Sequence, residues 1–200
     1  MVKHFVELGY ERGVTIRAAP YDWRLAEDQL QTSGYYASVQ SLVEAMYTAG
    51  GNAKVTIVAH SLGGPVSLFF LNNVVTQQWK NTYINAFIPI AGAWSGGNAA
   101  LESVISGLQI NSIYLFLEKL CYNLPPSLQL GITTTTRTFP NVSTLLPKPS
   151  VWTDTVLVTT PERNYTANDY EALFADMNYT QGFVMYKNTS KINACRLPFT

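Results

Sequence analysis

The most constraining feature of the sequence is a short apolar run that ends in a serine and two glycines. The run covers residues 55–59, the serine is Ser61, and the glycines are Gly63 and Gly64. This order predicts a strand that delivers Ser61 to a sharp turn, with a helix starting directly behind it. Such a bend brings the strand and helix backbones together, so it requires small neighbours. The sequence supplies Gly63 on one side and, on the other, Ala59 where the usual G-x-S-x-G pattern has glycine.

The flanking segments favour this interpretation over a serine that merely caps a helix. An A-x-S-x-G pattern also arises by chance, and serine is a common N-cap residue. However, residues 54–59 are almost continuously apolar, as in a strand covered on both faces of a parallel sheet. Pro65 falls in the first helical turn, where its missing N–H costs nothing, and the apolar residues of 66–75 predict a buried helix. Ser61 is therefore the candidate nucleophile of an α/β-hydrolase fold.

Hydrophobic patterning upstream and downstream of the turn predicts alternating helices and strands. Residues 2–8 are typical of a helix end, with Gly9 as its stop signal, and residues 35–47 carry the apolar stripe of an amphipathic helix. Short strands are predicted over residues 14–16 and 83–91. This alternation predicts a doubly wound parallel sheet with helices on both faces.

Composition excludes several classes of function. The 200 residues have no net charge and no basic stripe, which argues against binding of nucleic acid. No apolar run reaches the length of a membrane span, and the first thirty residues contain no segment of signal-peptide type. The two histidines lie outside any cluster of ligand residues, so neither a metal nor another cofactor is predicted.

The regular hydrophobic periodicity of the sequence is lost after residue 97. Residues 101–152 contain five prolines, a threonine run and no sustained periodicity, which predicts a cap or lid insertion and not sheet. Its most apolar piece, Ile113–Leu117, is either a lid face that meets lipid or the inner face of a cap, and we favour the cap. The predicted domains are a core part over 1–97, the insertion over 98–155 and a strand–helix return segment over 156–200.

The return segment has its own local signals. Val156–Val158 is strand-like, and Thr166 with Asp169 resembles a capping box ahead of a helix. The buried stripe of that helix is predicted to consist of Tyr170, Leu173, Phe174 and Met177.

Four N-x-S/T sequons lie in the final third of the chain, and they predict passage through the secretory pathway with sugars on an exposed face. The acceptor residues are Asn141, Asn164, Asn178 and Asn188. Cys121 and Cys195 are candidates for a disulfide in such a compartment, although their spacing does not decide whether they pair.

Several blocks together resemble the lecithin:cholesterol acyltransferase family, most closely its lysosomal phospholipase A2 (acylceramide synthase) branch. In chain order the blocks are Gly9–Tyr10, Ala19–Arg24, Val58–Gly63, Trp79–Lys80 with Tyr83–Ile84, Gly92–Gly97, and Asn164–Thr166 ahead of Asp169–Tyr170. Residues 107–150 and 186–200 match poorly, and Ala93 stands where the family tends to have proline.

This resemblance implies acyl-ester chemistry on phospholipids, with the fatty acyl group passing through the serine to water or a lipid alcohol. It also implies a lysosomal or secreted enzyme that makes peripheral contact with a membrane or lipoprotein surface. Ser61 Oγ would attack the acyl carbonyl, and the Leu62 N–H would donate to the oxyanion together with a second backbone N–H.

The rest of the catalytic triad is not evident in the sequence. In the α/β-hydrolase fold the catalytic residues occur along the chain in the order Ser, then Asp or Glu, then His. No histidine follows Ser61 in this sequence. His60 points away from its own successor, and His4 lies far upstream. We therefore expect a central piece of an enzyme, cut at both ends and inactive by itself.

Alternative interpretations stay open. One is a non-catalytic lipid- or partner-binding pseudo-hydrolase, and another is a neutral-lipid or esterase-type hydrolase outside the family, which the Ala19–Arg24 block argues against. Asp22 and Arg24 are expected to form a buried ion pair and not to be catalytic. The acids that follow Ser61 in the predicted insertion and return segment are Asp154, Asp169 and Asp176.

Overall fold

A computed structural model describes residues 2–106 and 126–190. The described residues form two compact units. The first unit contains residues 2–23 and 27–92, and the second contains residues 24–26 together with the described residues from 93 onward.

The first unit contains a parallel pair of strands and the helices around it. Its helices are α1 (Val2–Glu7), α2 (Glu27–Thr32), α3 (Tyr35–Ala49), α4 (Gly63–Phe69), a π-helical turn (Phe70–Val74) and α5 (Gln77–Tyr83). Strands β1 (Val55–His60) and β2 (Ile84–Ile90) pair in parallel, with Thr56 beside Ala86 and His60 beside Ile90. The predicted strands at 54–59 and 83–91, the helix after Ser61 and the amphipathic helix at 35–47 are thus confirmed. A mixed α/β fold with a parallel sheet and helices is compatible with the hydrolase class, whereas the cap insertion stays a prediction.

Coverage of the sheet by the described helices is incomplete at several positions. Thr56 and His60 are exposed on β1, and on β2 the side chains of Ile88 and Ile90 are 47% and 40% exposed. The described sheet has two strands, and α3, α4 and α5 pack against it without enclosing these positions. A continuously apolar strand therefore does not by itself guarantee burial on both sides.

The predicted helix near the N-terminus is confirmed, but the strand at residues 14–16 is wrong. Helix α1 ends at Glu7, and Gly9 follows with a φ of 96°. Residues 14–16 form a turn in which the N–H groups of Val14, Thr15 and Ile16 all donate to the Glu11 carbonyl. The Thr15 hydroxyl also accepts a 2.7 Å hydrogen bond from the Glu11 N–H. Local side-chain bonding of this kind competes with strand pairing, and three β-branched residues are too few to prevent it.

Aromatic packing fixes the helix behind Ser61. Tyr36 of α3 stacks on Phe69 and Phe70 with ring centroids 5.3 and 6.0 Å apart. Its hydroxyl donates a 3.3 Å hydrogen bond to the carbonyl of Val66 in α4. Burial raises the pKa of Tyr36 well above its ordinary value, so the hydroxyl stays a neutral donor.

A second polar contact ties α3 to α5. Trp79 Nε1–H donates to Glu44 Oε1 at 2.7 Å, and Gln40 Nε2–H donates to the same oxygen at 3.0 Å. These two hydrogen bonds lower the pKa of Glu44 below its ordinary value of 4.5, and the bond from Trp79 has the larger effect. The carboxylate therefore remains ionised in mildly acidic solution.

We expect Glu44→Gln to destabilise the protein at neutral pH and to lose this effect in acid. Because the folded-state pKa is lowered, the charged interaction stabilises above the ordinary glutamate value and disappears as pH falls through the lowered pKa. Denaturant unfolding at a series of pH values measures the difference between variant and wild type. Glu162→Gln, at an exposed loop position, is the matched control. A difference that grows toward acid would contradict the assignment.

The second unit is mainly helical. Its elements are α6 (Asn98–Ser106), α7 (Pro126–Thr136), α8 (Pro140–Thr144), α9 (Pro149–Trp152), β3 (Val158–Thr159), β4 (Asn164–Tyr165), α10 (Tyr170–Asp176) and α11 (Thr180–Thr189). Strands β3 and β4 form a two-residue antiparallel ladder. The strand predicted at 156–158 is thus shifted toward residue 159, and its described partner is β4 and not the parallel sheet.

One hydrophobic core joins the predicted insertion to the predicted return segment. It contains Leu101 and Val104 of α6, Leu146, and Tyr170 and Phe174 of α10, all nearly inaccessible to solvent. The predicted helix is confirmed over Tyr170–Asp176 with Tyr170, Leu173 and Phe174 buried, whereas Met177 follows the helix and is half-buried. The boundaries proposed at residues 97 and 155 stay a prediction, because a shared core does not reveal which segment was inserted.

Residues 126–136 form a helix that the sequence did not predict. Their threonines are weak helix formers, but three of these hydroxyls bond back to the carbonyl four residues earlier. Thr166 and Asp169 do pair, since the Asp169 carboxylate accepts from the Thr166 N–H and hydroxyl, each at 2.8 Å. The predicted cap is nevertheless wrong, because Asp169 is itself the N-cap residue of α10 and no side chain among the residues that the structure describes caps this helix. Ile113–Leu117, Cys121 and Cys195 lie outside the described residues.

No helix in the described part of the chain is both long enough and apolar enough to span a bilayer.

Candidate active site

Ser61 occupies a strained turn at the carboxyl end of β1. Its φ is 52°, a left-handed conformation that a residue with a side chain adopts at a cost. Two hydrogen bonds hold the turn: the Ser61 N–H donates to the Ile90 carbonyl at 2.9 Å, and the Gly64 N–H donates to the Ser61 carbonyl at 3.0 Å. The strand, the sharp bend and the following helix are thus all present, and Ser61 is half-buried at their junction.

The spacing between strand and helix explains why alanine is accepted at position 59. A Cβ placed on Gly63 would lie 3.6 Å from the Ala59 Cβ, an ordinary van der Waals distance. One methyl group therefore fits between the two backbones on this side of the turn. Ala59 itself is buried.

Leu62 follows the serine with helical dihedral angles, φ −56° and ψ −29°, and α4 begins at the next residue. Its carbonyl accepts from the Val66 N–H at 3.3 Å. Within the described residues, its own N–H donates to no other backbone group outside the regular elements. The first N–H groups of a helix have no intrahelical partner, so this donor is free to meet negative charge developing near Ser61.

A second strained residue lies directly after β2, and sequence reasoning did not single it out. Ala91 has a φ of 48°, next to Ile90, whose carbonyl anchors the Ser61 N–H. Two neighbouring parallel strands thus each end in a left-handed residue. The sequence held one weak signal, because Gly92 follows Ala91 at the end of an apolar strand.

Neither histidine is held as a base for Ser61. His60 is the last residue of β1 and is exposed. His4 lies on α1, where its Nδ1 is 3.5 Å from Glu7 Oε2 and both side chains are largely exposed. In the described regions, no hydrogen bond joins either imidazole to the serine hydroxyl.

The acids that follow the serine have structural contacts of their own. The Asp169 carboxylate accepts hydrogen bonds from Thr166, which lower the pKa of this carboxyl group, and its Oδ1 lies 3.6 Å from Arg163 Nη2. Asp176 Oδ2 accepts a 2.6 Å hydrogen bond from the Tyr165 hydroxyl. Asp154 is exposed in the segment after α9.

The four sequons differ in accessibility. Asn164, Asn178 and Asn188 are exposed, whereas Asn141 is only 1% exposed.

Across residues 2–106 and 126–190, no group of three or more His, Cys, Asp or Glu side chains is close enough to hold a metal ion.

The parallel strands and the helices packed on them define a mixed α/β protein, and the left-handed serine between β1 and α4 is compatible with a hydrolase-like fold. Residues 1–195 match the model of the lecithin:cholesterol acyltransferase family, and the chain belongs to that family. The predicted resemblance is thereby confirmed.

Two groups of curated relatives match almost the whole chain. It is 33% identical to lysosomal phospholipase A and acyltransferase from dog over 199 residues, which covers 99% of this chain and 45% of the relative; the cattle protein of that name matches equally well. It is 37% identical to mouse phosphatidylcholine-sterol acyltransferase over 187 residues, which covers 93% of this chain and 39% of the relative. The chain thus spans less than half the length of these relatives.

Proposed function

We propose that this chain carries the nucleophile of a lipid O-acyltransferase or phospholipase A. The observation that carries the proposal is the left-handed Ser61 between β1 and α4 in a member of the lecithin:cholesterol acyltransferase family. Phospholipid is the proposed acyl donor, and water or a lipid alcohol is the proposed acceptor. The relatives' names, which include phospholipase and acyltransferase, support this substrate class.

In the proposed reaction, Ser61 Oγ attacks the carbonyl carbon of the fatty acyl ester. A base takes the serine proton, the carbonyl oxygen becomes an oxyanion, and the Leu62 N–H donates to it. Collapse of this intermediate breaks the bond from the carbonyl carbon to the ester oxygen, which takes the proton back from the base, so that the lysophospholipid leaves as an alcohol and an acyl-serine remains. Water or a lipid alcohol then attacks the acyl-serine, and Ser61 is regenerated.

The base and the acid are not assigned to any residue of these 200. The described contacts of His4, Asp169 and Asp176 give each a structural partner, and His60 is the strand neighbour of the serine. We therefore propose that the 200-residue chain by itself does not turn over phospholipid.

The same observation supports a second candidate, a non-catalytic lipid- or partner-binding relative that keeps the scaffold. In either case we propose a lysosomal or secreted location, supported by the sequons and by the word lysosomal in the relatives' names. Peripheral contact with a membrane or lipoprotein surface is part of the proposal, since phospholipids reside there.

Imidazole added to the 200-residue chain tests whether Ser61 is a competent nucleophile that lacks only a base. Without imidazole, we expect release of fatty acid from an activated aryl ester to be the same for wild type and Ser61→Ala. With imidazole, we expect wild type to exceed Ser61→Ala, because the added base replaces the unassigned histidine. The measurement is the initial rate at matched imidazole concentrations.

Each unexpected result has a definite meaning. Ser61-dependent release without added base would show that the chain contains its own base, and the inactivity proposal would be wrong. Equal rates for wild type and Ser61→Ala at every imidazole concentration would contradict the assignment of Ser61 as the nucleophile and favour the non-catalytic alternative. Equal unfolding midpoints of the two proteins establish that the substitution leaves the fold intact.

A further inference from the structure

The Asn141 sequon lies in the interior of the second unit. The Asn141 N–H donates to the Arg24 carbonyl at 3.2 Å, and its Oδ1 accepts from the Thr144 hydroxyl at 2.6 Å. Ser143, the hydroxyl residue of this sequon, is buried as well. A sugar on the Asn141 amide fits only if α8 leaves its place in the core.

The other sequons lie on the surface of the same unit. Asn164 is exposed on β4, Asn178 is exposed in the turn before α11, and Asn188 is exposed in the last turn of α11. Asn178 has a φ of 52°, a conformation that asparagine tolerates better than most residues. Helix α11 has ten residues and is about 15 Å long at a rise of 1.5 Å per residue. It separates Asn178, which precedes it, from Asn188 in its last turn, so both ends have room for a sugar.

We propose that the folded protein carries N-linked oligosaccharides on Asn164, Asn178 and Asn188, the latter two at opposite ends of α11, and none on Asn141. In the transfer, the asparagine Nδ2 forms a bond to C1 of an oligosaccharide held on a polyprenyl diphosphate. The bond from C1 to the diphosphate oxygen breaks, Nδ2 loses one proton, and the polyprenyl diphosphate leaves. Chains modified at Asn141 do not reach the folded state, because the sugar prevents the burial of α8.

Site mapping of the secreted protein tests this proposal and requires no enzymatic activity. The 200-residue chain is expressed behind a cleavable secretory leader in cultured animal cells and treated with peptide N-glycosidase in heavy-oxygen water. The enzyme converts each occupied asparagine into a labelled aspartate, which peptide mass spectrometry detects. We expect label at Asn164, Asn178 and Asn188 and unlabelled Asn141. Label at Asn141 in the secreted chain, or absence of label at Asn164, Asn178 or Asn188, would overturn the proposal.

Matched substitutions of the hydroxyl residues provide a second readout that leaves every asparagine in place. Thr180 and Ser190 are exposed, so Thr180→Ala and Ser190→Ala remove the sequons of Asn178 and Asn188 at little structural cost. Each is expected to lower the mass of the intact protein by one oligosaccharide. Ser143→Ala removes the Asn141 sequon, and the mass of its secreted fraction is expected to stay that of the wild type. A loss of one oligosaccharide in Ser143→Ala would contradict the assignment of Asn141 as unmodified.

Discussion

Replacement of Ser61 by alanine is expected to abolish acyl transfer in an enzyme that uses this strand–turn–helix segment. Residues 55–75 are grafted onto the matching segment of the dog lysosomal phospholipase A and acyltransferase, which supplies the rest of its own catalytic site. The graft with Ser61 is expected to release fatty acid from phospholipid vesicles. Its Ser61→Ala form is expected to lose about 10⁶-fold in kcat, the loss seen when the nucleophile is removed from a serine hydrolase.

The control lies within the same graft. Ser67 is a half-buried serine on α4. Its substitution by alanine removes one hydroxyl group, as Ser61→Ala does, but leaves the turn unchanged. Ser67→Ala is expected to keep activity within about tenfold, since it leaves Ser61 and the Leu62 N–H unchanged. A graft that folds with an unchanged unfolding midpoint and is inactive with Ser61 in place would contradict the proposal. So would full activity of the Ser61→Ala graft, because another residue would then be the nucleophile.

The turn was predictable because three local requirements coincide in one short stretch. An apolar strand, small residues at positions 59 and 63 and a proline in the first helical turn each restrict the backbone in the same place. The structure adds the left-handed conformation of Ser61 and the anchor from the Ile90 carbonyl, which comes from a strand about thirty residues further along the chain. A local sequence pattern does not reveal contacts between distant segments, and for this reason the left-handed conformation of Ala91 was not predicted.

The errors in the fold have a different, local origin. Residues 14–16 look like a strand by propensity, but the Thr15 side chain and the Glu11 carbonyl satisfy the backbone locally. The helix over 126–136 looks unfavourable by propensity, but threonine hydroxyls bonded to preceding carbonyls are compatible with it. In both segments side-chain hydrogen bonds are found with the observed turn or helix, and a hydrophobic pattern contains no information about such bonds.

Burial distinguishes the four predicted sequons from one another. The motif N-x-S/T states only that a transferase can recognise the segment, and all four sites satisfy it. Asn141 differs because its amide lies in the core and bonds to Thr144. The sequence pattern thus defines candidates, and packing of the second unit separates them.

Gly96→Ala is expected to destabilise the protein by roughly 3–5 kcal/mol, the range that follows when backbone strain is added to an overpacked contact. Gly96 has a φ of 71°, which an alanine adopts only with strain. A Cβ at this position would also overlap the Leu146 carbonyl oxygen and approach the Leu145 carbonyl oxygen to 2.7 Å. These atoms belong to the backbone and Leu146 is in the core, so they are unable to move aside as a flexible side chain would. Equilibrium unfolding in denaturant measures the change.

The adjacent glycine separates this effect from a general intolerance of the segment. A Cβ on Gly97 would meet nothing within 4 Å, and its φ lies outside the left-handed range. The Gly97 N–H donates to the Leu145 carbonyl at 2.9 Å, and alanine keeps that donor. Gly97→Ala is therefore expected to change the free energy of unfolding by less than about 1 kcal/mol, in line with substitutions that create no strain or overlap. Equal destabilisation by the two substitutions would contradict the close approach of Gly96 to Leu145 and Leu146, because only that contact and the left-handed backbone distinguish the two glycines.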